Sequence, residues 1–182
     1  MCPRLALIVL AGAIPSPGQH SNDPTPLQLS LPGKAFAVQV DASGFKVDQN
    51  VIRPNGSRYL MATNAANGMV LSMTLEKVTG EARIEDCRTV FRARIKSNAK
   101  LKPVDIKESQ VGDMALLEFV IPAVSAVTIN QKNVFGCIAK EDVYADLHFS
   151  KTDFKPQDQA LFDSLLSAIR IVGKDAAAEA RK

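Results

Sequence analysis

The chain has 182 residues, of which 46% are hydrophobic and 23% are charged, and its formal net charge is +3. This length and composition are typical of one globular domain with a single core that needs neither a structural metal nor a dense disulfide framework. A net charge of +3 is too small to indicate a nucleic-acid-binding protein by itself.

Residues 1–18 have the order of a signal peptide. Arg4 precedes an apolar run from Leu5 to Ile14, and two prolines follow the run. This run is shorter than the roughly 20 residues that a membrane-spanning helix needs, so it is typical of an export signal. We expect the mature chain to begin between residues 14 and 20, to be periplasmic or extracellular, and to have no transmembrane segment. A buried N-terminal strand is the alternative.

The remaining chain divides into a linker, one domain and a tail. Residues 19–33 are rich in Pro and Gly without periodicity, which predicts a linker. Residues 34–172 are the predicted domain, and residues 173–182 form an Ala-rich charged segment that we expect to be a mobile tail. In the first part of the domain, alternating apolar residues and two Asn-Gly turns predict strands at 35–41, 45–53, 58–64 and 69–78.

A helix is predicted over residues 81–97, because apolar residues recur there at spacings of three and four. Its predicted buried face consists of Ile84, Cys87, Phe91 and Ile95. Its predicted exposed stripe consists of Arg88, Arg92 and Lys96. The period then returns to two, and it predicts strands at 104–110, 114–121, 124–131, 134–140 and 142–150. Residues 156–170 begin with Pro156 and have an apolar stripe, which predicts a closing helix.

These elements predict an α+β fold, in which a meandering antiparallel sheet is sandwiched by the internal helix at about 81–97 and the C-terminal helix at about 156–170. Two segments carry a resemblance to a known group: Asp142–Ser150 and Phe162–Ile171 resemble the closing strand and helix of PsbP-like proteins. That group is similar to the extrinsic photosystem II subunit and includes many exported bacterial proteins of unknown function. The resemblance covers residues 34–172, and it implies helices on both faces of the sheet.

Removal of the leader would leave two cysteines, Cys87 and Cys137, in a compartment where disulfides form. Cys137 has the opposite parity from Val134 and Ile138 in its predicted strand. If helices cover both faces of the sheet, as the PsbP-like resemblance implies, the first helix can lie over Cys137. We therefore expect a Cys87–Cys137 disulfide, and two independently buried thiols are the alternative.

The sequence favours a protein without catalytic residues, cofactors or metals. No nucleophile, zinc, phosphate-loop or calcium motif is present, and His148 is the one histidine of the predicted domain. Tyr144, Asp146 and His148 alternate along one strand face, where an acid, a hydroxyl and an imidazole could meet. A polar strand face without chemistry explains the same pattern, and a hydrolytic enzyme that uses His148 is therefore the least favoured interpretation.

Basic residues are concentrated between Arg83 and Lys102, where seven Lys or Arg accompany two acids and give a formal charge of +5. This stretch predicts either a solvated helix face or a surface for an acidic envelope protein or an anionic membrane. Nucleic acid is excluded as a partner by export and by the lack of exposed aromatic residues in the stretch. A noncatalytic binding or accessory module of the cell envelope is the favoured interpretation. A carrier of small apolar ligands or lipids is the alternative, for which Met69, Met73 and Met114 are the only indication.

Overall fold

Twelve regular elements make up the part of the chain that the computed structural model describes, which is residues 26–97 and 99–173. In chain order they are β1 (Leu27–Leu29), β2 (Phe36–Val40), β3 (Lys46–Ile52), β4 (Arg58–Asn64), β5 (Met69–Lys77), α1 (Ile84–Ser97), β6 (Val104–Val111), β7 (Met114–Val124), β8 (Val127–Lys140), β9 (Val143–Lys151), α2 (Gln159–Ser167) and β10 (Ile169–Gly173). Two single-turn 3₁₀ helices, at Ala99–Leu101 and Pro156–Asp158, accompany the α-helices. The predicted leader and residues 174–182 of the predicted tail lie outside the described residues, whereas Gly173, assigned to the tail, ends β10.

The main sheet has seven antiparallel strands in the order β3-β4-β5-β9-β8-β7-β6. Its first two hairpins close at the predicted Asn-Gly turns, where Gly56 and Gly68 have φ values of 81° and 71°. A side chain with a Cβ atom is strained in this left-handed region, so glycine fits the turns. The predicted strands at 124–131 and 134–140 are one continuous strand, β8, because the polar residues between them pair with neighbouring strands.

A second sheet has three strands in the order β1-β2-β10, and it corrects two predictions. β1 lies within the range interpreted as a linker, but Leu27 and Leu29 alternate and are buried. The C-terminal helix ends at Ser167 instead of residue 170, and Ile169 and Ile171 pair with Val40 and Val38 of β2. β-branched residues favour strands, and this tertiary pairing overrides a helical spacing that included Ile169.

Alternating residues of the main sheet contribute to two separate cores. Leu116 belongs to the larger core, which includes residues of the small sheet and of α2, such as Val38 and Phe162. Ala115 and Leu117, which point to the opposite face, belong to the smaller core under α1. The fold is therefore broadly α+β, mostly antiparallel sheet with two helices, and α1 covers the smaller core together with the 3₁₀ helix Ala99–Leu101.

Candidate functional site

Helix α1 lies over β7 and β8 and positions the residues of the candidate site. Cys87 and Phe91 are each 1% exposed and pack into the smaller core, whereas Ile84 and Ile95 are half-buried. Cys87 forms a disulfide with Cys137 of β8, with a Cα–Cα distance of 5.8 Å. The predicted disulfide is thus confirmed, and it ties the middle of the main sheet to the helix.

The basic stripe of α1 lies on the helix side that faces away from this core. Arg92 and Lys96 are exposed, as predicted. Arg88 is half-buried instead, because its Nη2 donates a hydrogen bond to Oε1 of Gln110 at 3.0 Å on the neighbouring strand β6. Two side chains of the stripe, Arg92 and Lys96, are therefore exposed, and the third, Arg88, is held against the sheet.

Arg94 differs from the stripe, because it turns toward the sheet. Its Nη2 donates to Oδ2 of Asp146 at 2.7 Å, and its guanidinium carbon lies 4.1 Å from the centroid of the Phe135 ring. The sequence analysis counted Arg94 only as one charge in the basic stretch. Its position on the helix wheel, three residues after Phe91, is the signal that could have placed it near the sheet.

His148 is held in place by an aromatic ring and an amide. Its ring stacks on Phe135 with a centroid distance of 4.0 Å and an interplanar angle of 1°. Arg94 also lies about 4 Å from that centroid, so the imidazole and the guanidinium both contact the Phe135 ring. His148 Nε2 lies 3.1 Å from Oδ1 of Asn133, an atom that also accepts from the Gln131 amide. The imidazole is therefore the donor in this hydrogen bond.

Burial and, to a smaller extent, the positive charge of Arg94 together lower the pKa of His148 to about 4. The imidazole is consequently neutral at physiological pH. The Asp146 carboxyl has a raised pKa, because burial disfavours its charged form more than the Arg94 ion pair favours it. A pKa of about 4 makes the His148 imidazole a weak proton acceptor, its Nε2 already donates to Asn133, and the Asp146 carboxylate is paired with Arg94.

Tyr144 binds the start of α1. Its hydroxyl donates to Oδ2 of Asp86 at 2.6 Å and accepts from the backbone N–H of Arg83 at 3.2 Å. Burial, together with the hydrogen bond to the Asp86 carboxylate, raises the pKa of the Tyr144 hydroxyl. Between this contact and the disulfide lies a cleft of about 100 Å³, which is too small for a drug-sized ligand.

The three side chains proposed from sequence as a polar face are thus brought under or beside α1, and each binds a different partner. Tyr144 and Asp146 attach the helix to β9 at two points, and His148 packs on Phe135 of β8 beside them. In the described ranges, 26–97 and 99–173, no group of three or more His, Cys, Asp or Glu side chains could hold a metal ion.

Beyond β9, the same face of the main sheet extends past the edge of α1. Apart from Glu76, which is charged and exposed at the end of β5, its side chains on β4 and β5 are uncharged and half-buried: Tyr59, Met61, Thr63, Val70, Ser72 and Thr74. We call this set the outer sheet face. Its register continues from the candidate site, since Ser72 pairs with His148 and Thr74 pairs with Asp146. The sequence analysis missed this face, because it treated the alternate residues of these strands only as the solvent side.

The described residues include no helix that is long and apolar enough to cross a membrane. No family model matches the sequence, and no curated protein matches it. Among solved structures, the chain is similar to a crystal structure, at 1.50 Å resolution, of a protein from Bacteroides thetaiotaomicron VPI-5482, with a TM-score of 0.50 and 9% identity. The match covers 83% of this chain and 50% of that chain, so this chain spans about half the length of that protein. At this identity the similarity is one of fold alone.

Proposed function

We propose that this chain is a noncatalytic binding module of the cell envelope that recognises an acidic protein partner through α1 and the outer sheet face. One observation carries the proposal: Tyr144, Asp146 and His148 are each occupied in holding α1 or its supporting ring in place. Side chains with this role shape a surface, which favours a binding function over a catalytic one.

The charge of α1 favours an acidic partner. Arg92 and Lys96 are exposed on the helix, and Arg88 lies beside them. Arg94 is neutralised by Asp146, so the positive charge is concentrated on the outer side of the helix. Opposite charges across an interface accelerate association and favour the correct partner.

The outer sheet face favours a protein over an anionic membrane as the partner. Strands lie about 4.8 Å apart, so the main sheet extends roughly 14 Å from β9 to β3 beside the helix. A protein can contact both the mostly uncharged outer sheet face and the basic helix. A membrane surface would favour exposed aromatic or apolar anchors on the basic helix, and Val90 is the one large apolar side chain of α1 among the exposed hydrophobic residues.

Export and the PsbP-like relationship are parts of the same proposal. A buried disulfide is compatible with an oxidising compartment, and the leader pattern of residues 1–18 supports export to it. The apolar pattern of Asp142–Ser150 and Phe162–Ile171 supports a PsbP-like fold. In that fold the main sheet would be sandwiched by helices, with α2 opposite α1.

A carrier of small apolar ligands is the second candidate function. Met69 and Met73 are each 1% exposed and belong to the packed core, which weakens this candidate. Met114 favours it, because this residue lines an open groove of about 390 Å³ next to β10. That volume exceeds the roughly 300 Å³ that a drug-sized ligand needs.

The first test reverses the exposed charges of the helix. The double variant Arg92→Glu/Lys96→Glu is expected to weaken binding to the acidic partner about tenfold or more, because two attractive charges become repulsive. The partner is recovered by crosslinking to the wild-type protein in its native envelope and identified by mass spectrometry. Its affinity for each variant is then measured by calorimetry at low and physiological salt.

A matched control tests whether binding depends on the charges of the stripe or only on the net charge of the protein. Lys107→Glu/Lys155→Glu changes the net charge equally at two other exposed positions, and it is expected to bind as the wild type does. Equal weakening by both double variants would contradict the proposal, as would recovery of only neutral or basic proteins. If the wild type, but not the stripe variant, sediments with phosphatidylglycerol vesicles, the partner of the stripe is an anionic membrane and not a protein.

His148→Ala is expected to leave binding within about twofold of the wild type, because the imidazole is neutral and lies on the sheet side of α1. The same partner and calorimetry provide the measurement. A second assay compares hydrolysis of ester and amide substrates by the wild type and the variant. A hydrolytic rate that falls by a factor of about 100 or more in the folded variant would identify general acid-base catalysis and overturn the noncatalytic proposal.

A further inference from the structure

A groove lies on the opposite side of the main sheet from α1, at the open edge of the small sheet. It has a volume of about 390 Å³, and its apolar walls come from β6, β7, β8, α2 and β10. Val111 and Ile171 line it and are 60% and 38% exposed, although they lie next to the larger core. At this groove a gap between the small sheet and the main sheet leaves apolar side chains in contact with solvent.

One wall of the groove is the edge of a strand. Ile169, Arg170 and Ile171 are consecutive residues of β10 and all line the groove, although successive side chains of a strand point to opposite faces. They can share one groove only if it runs along the strand edge. β10 pairs with β2 on its other side, and among the described residues no strand pairs with this edge. The Ile169 carbonyl accepts from Arg170, and the other backbone N–H and C=O groups of the edge are available for pairing.

The position fits one additional strand. β1 contacts β4 and β5 of the main sheet, whereas β10 faces Ile138, Met114 and Val111 across the groove. The three strands of the small sheet thus cover the main sheet from one side as far as β10. A fourth strand beside β10 would cover the apolar side chains that remain open, and it would extend the small sheet by main-chain hydrogen bonds.

We propose that this groove binds an extended peptide segment of a partner protein by β-strand addition to β10. The segment has apolar residues at alternate positions and at least one acidic residue. The groove contains one charge of each sign, Arg170 on β10 and Asp113 in the turn between β6 and β7. Arg170 is held at the wall by its Nη1, which donates to the carbonyls of Ser167 and Ile169.

This charge pattern favours a peptide over a fatty acid. A carboxylate ligand would be attracted by Arg170 and repelled by Asp113, whereas a peptide can carry an acid next to Arg170 and a base next to Asp113. An acyl chain also leaves the strand edge unpaired, whereas a peptide backbone satisfies it. The site is separate from α1, so its failure would leave the proposed binding by the basic stripe unaffected.

The probe is a soluble nine-residue peptide in which Val and Thr alternate, with Glu at one end and Lys at the other. Binding to the full chain is followed by NMR, and the amides of Ile169 to Gly173 are expected to shift and to gain protection from hydrogen exchange. Two peptides N-methylated at alternate residues test the pairing. Methylation of the edge that faces β10 is expected to weaken binding at least about tenfold, and methylation of the other edge about twofold or less.

Protein variants locate the site. Ile171→Lys and, independently, Val111→Lys are expected to weaken binding at least about tenfold, whereas Val127→Lys, at another exposed apolar position, leaves it unchanged. Equal binding of both methylated peptides would overturn the proposal, as would binding of oleate that competes with the peptide. Removal of residues 174–182 is expected to change nothing. If this removal strengthens peptide binding tenfold, the groove is occupied by the chain's own C-terminal segment. If the protein forms a dimer that Ile171→Lys disrupts, the groove is occupied by a second copy of the chain.

Discussion

Replacing both cysteines of the disulfide by alanine is expected to lower the free energy of unfolding by about 4 kcal/mol, because the bond closes a loop of 50 residues and restricts the unfolded chain. For a chain of this size, such a loss corresponds to a decrease in Tm of about 10 °C. The measurement is thermal and urea unfolding of Cys87→Ala/Cys137→Ala beside the wild type.

The helix explains why this effect should be so large. α1 is attached mainly through Cys87 and Phe91, which are its two fully buried side chains, and half-buried Ile84 and Ile95 add smaller contacts. Loss of the disulfide therefore removes one of two main attachments of the layer that covers the smaller core. We expect α1 amides to exchange with solvent before those of β5 and β9.

Two controls test whether the decrease in stability comes from loss of the disulfide bond or from loss of the buried sulfur atoms. A reductant added to the wild type should reproduce most of the decrease in Tm, and the same reductant should not change the double variant. Val90→Ala, at an exposed position of the same helix, should change Tm by only about 2 °C or less. A double variant as stable as the wild type would contradict the stabilising role of the bond.

The spacing of apolar residues predicted most strands and both helices, because most of these elements bury one face and expose the other to solvent. β5 and β9 are examples, since their alternate residues are buried in the described structure just as their sequence alternates. The Cys87–Cys137 pairing also followed from parity, once a helix was assumed to cover each face. These predictions depend on the local spacing of apolar residues and on one assumption, that a helix covers each face of the sheet.

The ends of the domain could not be predicted in the same way. β1 has three residues, too few to display a period, and its burial depends on β2, β4 and β5. β10 follows α2 after a single residue, Ala168, and its first apolar residue continues the helical spacing. Only pairing with β2 distinguishes a strand there, and pairing is a long-range property that one-dimensional spacing does not contain.

The candidate site was predicted as a group of residues but not as an arrangement. The alternation placed Tyr144, Asp146 and His148 on one face correctly. Their partners come from α1 and from β8, at 15 to 58 positions away in the chain, and no spacing rule selects them. Arg94 and Phe135 were therefore missed, although Arg94 affects the pKa of both Asp146 and His148 and Phe135 stacks on His148.

The stability of the protein is expected to fall by about 3 kcal/mol between pH 6.5 and pH 4, because His148 has a pKa of about 4 when folded and an ordinary value near 6.5 when unfolded. In this interval the unfolded chain binds a proton that the folded chain does not bind, so acid favours unfolding. Above pH 6.5 both states are neutral at this position, and the stabilisation is complete.

The variant His148→Gln tests this assignment. Glutamine is neutral at every pH and can still donate to Oδ1 of Asn133, so its unfolding free energy should change much less over the same interval. The measurement is urea unfolding at half-unit steps from pH 4 to pH 8 for both proteins. Their difference removes the contributions of other groups, including the Lys34–Asp142 ion pair, whose lowered carboxyl pKa affects stability below this interval.

The expected result is a pair of curves that separate as the pH rises, with a slope difference approaching 1.4 kcal/mol per pH unit near pH 5. The physical cause is specific, since a charged imidazole would lose its hydration against Phe135 and lie near Arg94. Arg94→Gln should therefore raise the folded pKa of His148 and shift the lower end of the slope to higher pH. Parallel curves for the wild type and His148→Gln would show that the imidazole titrates equally in both states, and would remove it from the acid sensitivity of the fold.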